Sequence, residues 1–128
     1  MPETSKMRQT LHPQEQRAAH RALELVRAFR RVDSKMPSSY MEAFLAVALK
    51  PGYGPTEYAK DLRTIQPIMS RILLELGEHP RAGLRGLGLV DRRMSSESLR
   101  NQEYYLTSKG RALLHRIAAA LGNIPDRT

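Results

Sequence analysis

The sequence contains no cysteine, which removes disulfide frameworks, thiolate zinc sites, iron–sulfur clusters and cysteine nucleophiles in one step. It has no tryptophan and two phenylalanines beside five tyrosines, a poor stock of the aromatic faces on which single-stranded nucleic acid stacks. Uninterrupted apolar stretches stay well short of the roughly eighteen to twenty residues that span a bilayer. The amino-terminal MPETSKMRQT lacks the hydrophobic segment of a secretory signal. These absences lead us to expect a cytoplasmic chain with no membrane partner. Acidic residues are also scarce, with thirteen Asp and Glu against twenty-one Lys and Arg and a net charge of +8. Sixteen of those cations are arginine, whose planar fork suits phosphates and guanine edges. Such a balance favours an anionic partner, and duplex DNA fits better than single strands. A length of 128 residues is that of one domain with a core of its own.

Residues 1–10 are polar and offer no apolar periodicity, so they read as a flexible tail ahead of a single domain over 11–128. Pro13 suits a first helical turn, and Ala18, Ala22, Leu25, Val26 and Phe29 then recur at helical spacing, predicting a helix over about 12–32. Ser39 and Glu42 have the spacing of a capping box ahead of Met41, Phe44, Leu45, Ala48 and Leu49, predicting a second helix over 38–49. Lys50-Pro51-Gly52-Tyr53-Gly54 ends it, and Gly54, Pro55 and Glu57 open a short third helix over 55–62 that turns Tyr58, Ala59 and Leu62 inward. After a turn at Arg63, Thr64 is placed to cap a fourth helix over 65–76, with Pro67 in its first turn and Ile65, Ile68, Met69, Ile72, Leu73 and Leu76 as its apolar stripe.

Two helices joined by so short a turn, with small Ala59 at the point of close approach, satisfy the needs of a helix-turn-helix. In that geometry Gln66, Ser70 and Arg71 face outward: glutamine suits adenine, arginine suits guanine, and serine suits either a base or a phosphate. The competing reading is a plain antiparallel helix pair with a solvated polar face. Leu89–Met94 and Gln102–Leu106 are strand-like, the second alternating Gln102, Tyr104 and Leu106 against Glu103 and Tyr105. The hairpin over 89–106 reads as a wing. Its Arg92, Arg93 and Arg100 suit phosphates or a narrow minor groove, or are ordinary surface charges. Thr107 then caps a last helix over 107–121 striped with Leu113, Leu114, Ile117 and Leu121. The fold class is thus mainly α with a small two-stranded β-wing, a winged helix-turn-helix. Its DNA-binding candidates are Arg63, Thr64, Gln66, Ser70, Arg71, Arg92, Arg93 and Arg100.

Other chemistries find no footing. Gly83, Gly86 and Gly88 run the wrong way for a dinucleotide loop, and no G-K-[ST] occurs. His12, His20, His79 and His115 lack metal-ligand spacing, and no G-x-S-x-G elbow is present. The reading is of no enzyme, no metal and no cofactor, with no effector class indicated.

The order of elements over roughly residues 38–121 resembles the MarR family of winged-helix transcription regulators. The resemblance is carried by Ala59, Ser70-Arg71, Gly88-Leu89-Val90, Arg100 and Leu106-Thr107-Ser108-Lys109-Gly110. Three departures stand out: Ser98 occupies the place of a frequent wing aspartate, the 77–87 link is long, and little chain follows Leu121 for a further dimer helix. In the 77–87 link, His79, Arg81 and Arg85 either extend the basic surface or are simply loop polarity. The resemblance implies a sequence-specific regulator, most simply a repressor. A homodimer on a short inverted repeat is expected, its contacts made through the alanine-bearing first and last helices (Ala18, Ala19, Ala22; Ala118, Ala119, Ala120). A protein-interaction adaptor and a nonspecific architectural DNA binder are the alternatives.

Overall fold

The computed structural model describes residues 10–78, 86–94 and 102–122. Helix α1 runs Pro13–Val32, α2 Ser38–Leu49, α3 Pro55–Asp61 and α4 Gln66–Leu76. Strands β1 (Val90–Met94) and β2 (Gln102–Leu106) form an antiparallel hairpin, and α5 (Ser108–Ala120) closes the order. The winged helix-turn-helix expected from the sequence is the observed architecture. The tail expected from the sequence falls largely on residues 1–9, which lie outside the described residues, as do the tip expected for the wing and the centre of the 77–87 link.

Each element starts and stops for a local reason. His12 caps α1, its Nδ1 accepting from the Gln14 N–H at 3.3 Å while Glu15 accepts from the His12 N–H at 2.9 Å. Pro55 opens α3, with Glu57 accepting from the Gly54 N–H at 3.2 Å. Thr107 caps α5 by accepting from the Gly110 N–H at 3.0 Å, and donates to the Gly88 carbonyl at 2.6 Å. A Cβ at position 110 would sit 2.2 Å from the Leu89 carbonyl oxygen, so only glycine lets α5 begin against the base of the wing. The Leu106–Gly110 motif is therefore a joint between wing and helix.

The core gathers Phe29 from α1, Phe44 and Val47 from α2, Tyr58 from α3, Met69, Leu73 and Leu76 from α4, Leu89 and Val90 at the wing base, Tyr104, and Leu113 and Ile117 from α5. Phe29 and Phe44 meet edge to face with centroids 5.9 Å apart. Tyr53 bridges to Tyr104, adding one residue to the edge of the hairpin. The buried Tyr58 hydroxyl locks this arrangement by donating to the Lys50 carbonyl at 2.5 Å and accepting from the Tyr53 N–H.

Two caps differ from expectation. The α2 N-cap is Pro37, with no side-chain cap bond, and Ser39 lies inside the first turn; the proline sets the extended entry, so the helix starts before Ser39 reaches a capping position. The α4 N-cap is Ile65 rather than Thr64. Thr64 is occupied with ending α3, as described next. Leu49, expected on the inner stripe of α2, is 81% exposed at the helix end.

Candidate nucleic-acid interface

The turn between α3 and α4 is set by backbone bonds. The Arg63 N–H donates to the Lys60 carbonyl at 3.3 Å and the Thr64 N–H to the Ala59 carbonyl at 2.9 Å, the paired closure of a Schellman motif. That motif needs a left-handed residue at its centre, a place usually taken by glycine. Here it is Arg63, at φ 58°. Its long exposed cation is thus held at the tip of the turn at some cost in backbone strain. With Thr64 spent on α3, α4 starts one residue later, and Pro67 falls at its second position, where a missing N–H costs nothing.

Met69, Ile72, Leu73 and Leu76 are buried under α4. Gln66 and Arg71 are exposed, and Ser70 is half-buried beside them. Near the far end of the helix, the Tyr40 hydroxyl of α2 donates to the Glu75 carboxylate. Burial and this carboxylate push the Tyr40 hydroxyl up to about 12, against a smaller opposing influence from Arg71. The phenol therefore remains a neutral donor, tying α4 to α2 one turn beyond Arg71. The Glu75 carbonyl accepts from the Leu87 N–H at 3.0 Å, so the chain returning from the 77–87 link is stitched to the same helix.

The wing arginines separate onto two faces. Cross-strand pairing of Arg92 with Tyr104 and Arg93 with Glu103 puts Val90, Arg92 and Tyr104 on one side and Asp91, Arg93, Glu103 and Tyr105 on the other. Arg92 faces α4 across a cleft of about 280 Å³ lined by Leu73, Leu74, Gly77 and Tyr104. Burial pushes the Tyr104 hydroxyl up, and neighbouring Arg92 opposes it. On the far side, the Arg93 guanidinium lies 4.6 Å from the Tyr105 ring centroid, and its Nε is 3.7 Å from Asp91. The Tyr105 hydroxyl donates to Glu103 at 2.8 Å, a bond that pushes its pKa up. Arg93 thus pairs with Asp91 and stands opposite Glu103 in the strand register.

Compared with solved structures, the chain is similar to a MarR family transcription regulator, with 25% identity over 83% of this chain and 62% of that one and a TM-score of 0.60. It is similar to the transcriptional repressor CouR bound to a 23-mer DNA duplex, at 24% identity over 95% and 80% of the two chains and a TM-score of 0.58. The chain has a MarR-like winged-helix fold. A MarR-like regulator from Thermotoga maritima matches at 23% identity over 89% and 78% with a TM-score of 0.59. The chain spans less than two thirds of the first of these proteins. No family model and no curated protein matches the sequence. These neighbours are transcription regulators, a non-enzymatic class.

Within the MarR-like frame, α3 and α4 are the helix-turn-helix and β1–β2 the wing. The fold sets Arg63, Gln66, Ser70 and Arg71 along the turn and outer side of α4, with Arg92 across the cleft from that helix. Arg93 lies on the opposite face of the wing, and Arg100 is outside the described residues. Two residues lie on the opposite side to expectation: Ile65 and Ile68, expected in the inward stripe, are 59% and 44% exposed. The stripe is covered from Met69 onward, and the first turn of α4 stands proud of the core. Among the described residues, no group of three or more His, Asp or Glu side chains is placed to hold a metal, and no helix is long and apolar enough to cross a membrane.

Proposed function

We propose that the chain is a sequence-specific double-stranded DNA-binding transcription regulator, acting in the cytoplasm as a homodimeric repressor on a short inverted repeat. The observation that carries this reading is the division of α4: Met69, Ile72, Leu73 and Leu76 are buried while Gln66 and Arg71 stand free. In the groove, Arg71 pairs with a guanine edge and Gln66 with an adenine, and Ser70 reaches a base or phosphate. Arg63, Thr64 and Arg92 meet the backbone. Arg93, already paired with Asp91 and stacked on Tyr105, contributes less than Arg92. A net charge of +8 adds sequence-independent attraction. Solved neighbours supply further support, since CouR is bound to a DNA duplex and a mutant E. coli MarR is complexed with operator DNA.

The homodimer reading is supported by α1, whose Ala18, Ala19, Ala22, Leu23 and Val26 are exposed although the helix packs against α5. A second copy covering that surface sets two α4 helices at half-sites about one DNA turn apart. Gel-shift titration against random and selected duplexes tests the proposal. Arg71→Ala is expected to relax sequence preference by roughly 1–3 kcal/mol, whereas Arg92→Ala weakens all sequences alike and lowers the salt slope by about one. Equal binding by the wild type and both variants refutes the assignment.

A further inference from the structure

The first turn of α4 breaks two local rules side by side. Ile65 stands at the N-cap, where serine, threonine, aspartate or asparagine would satisfy a free backbone N–H, and it makes no side-chain cap bond. Ile68 lies three residues on. Both are large β-branched side chains left substantially in water, at 59% and 44% exposure, although the same helix buries Met69, Ile72, Leu73 and Leu76. Ile65 gives up a capping side chain, and both residues leave much of their apolar surface in water. A residue that forfeits a cap and a solvated surface together marks a place where stability is given up for contact with something else.

Position identifies that contact. Ile65 and Ile68 bracket Gln66, the exposed amide already assigned to a base edge, and the amino-terminal turn of a recognition helix is the part that meets base edges in the major groove. Among the four bases, the apolar feature in that groove is the thymine C5-methyl group. We infer that Ile65 and Ile68 read thymine methyl groups flanking the adenine read by Gln66, so that the centre of each half-site is composed of A·T pairs. This rests on the DNA-binding reading above and specifies which sequence chemistry it selects. A protein partner for the same two side chains is disfavoured by their surroundings, because Arg63, Gln66 and Arg71 make the neighbourhood cationic and polar rather than a continuous apolar patch.

Deoxyuridine separates this inference from the reading beneath it. Duplexes enriched by the wild type from a random pool are resynthesised with deoxyuridine in place of thymine, which keeps pairing and phosphates and removes only the methyl. The wild type is expected to bind the substituted duplex about fourfold more weakly for each methyl it covers. Ile65→Ala/Ile68→Ala is expected to lose that factor on thymine duplexes and no longer tell the two apart. Ile65→Ser, which restores a cap, should melt higher than the wild type and yet bind thymine duplexes more weakly. Wild-type binding that is equal for both duplexes, or a double variant that keeps full discrimination, overturns the inference and leaves DNA binding standing. Failure to retain any duplex overturns both.

Discussion

Helices α1 and α4 carry the same kind of pattern, apolar residues at three- and four-residue spacing, and meet opposite fates. In α4 the stripe from Met69 to Leu76 is covered by α2, α3 and the base of the wing. In α1 only Ala28 and Phe29 are buried, although it is the more strongly amphipathic of the two. Leu23 and Val26 are exposed, and where α1 meets α5 a cleft of about 310 Å³ remains between Ala28, Ala119 and Ala120. Periodicity announces that a face needs cover without saying whether the cover belongs to the same chain. In α4 it does; for α1 the reading above assigns it to a second copy.

Substitutions on the two stripes should therefore fail in different ways. Leu73→Ala removes a fully buried side chain of α4 and is expected to cost about 2–5 kcal/mol in thermal or urea denaturation, at any protein concentration. Leu23→Glu on α1 should leave the fold of the single chain within about 0.5 kcal/mol. Light scattering after size exclusion should nevertheless show self-association weakened at least tenfold, about 1.4 kcal/mol. A wild type that runs as a strict monomer at micromolar concentration breaks the comparison outright.

Smaller effects sharpen it at the entrance to α4. Arg63→Gly relieves the left-handed strain at φ 58° and should stabilise the protein by about 1 kcal/mol while weakening DNA binding, a trade that no residue of the bare α1 face should show. The last test concerns the tie between α4 and α2. Tyr40 has its hydroxyl pushed up to about 12 in the fold, against about 10 in an unfolded chain. The folded state favours the neutral donor, so this stabilisation is complete below pH 10 and fades as pH rises toward 12. Tyr58, raised to about 12 by burial, acts in the same direction. Tyr40→Phe should accordingly shrink, without abolishing, the alkaline loss of stability followed by circular dichroism.

Much of the fold was legible because its signals are short-range. Pro13, Pro55 and Thr107 mark helix starts wherever the chain folds, and the alternation of Gln102, Tyr104 and Leu106 sorts a hairpin into faces. The candidate site was legible in its polar residues, since Gln66 and Arg71 fall opposite the stripe by helical geometry alone. Its apolar members were not. Ile65 and Ile68 extend the stripe in sequence, and their exposure follows only from where α2 and α3 stop covering α4. The two wing arginines are neighbours in sequence, and their different fates depend on Glu103 and Tyr104 arriving from the opposite strand in one register.

What the sequence determined by itself was the set of elements, their order and the basic character of the surface, because propensity, capping and charge act over a few residues. The tertiary structure decided which apolar side chains are left in water, which arginine stands opposite a carboxylate in the strand register, and that Thr64 ends one helix instead of beginning the next. Those outcomes depend on groups far apart along the chain competing for the same space and the same hydrogen bonds, and that competition is settled only when the whole core closes.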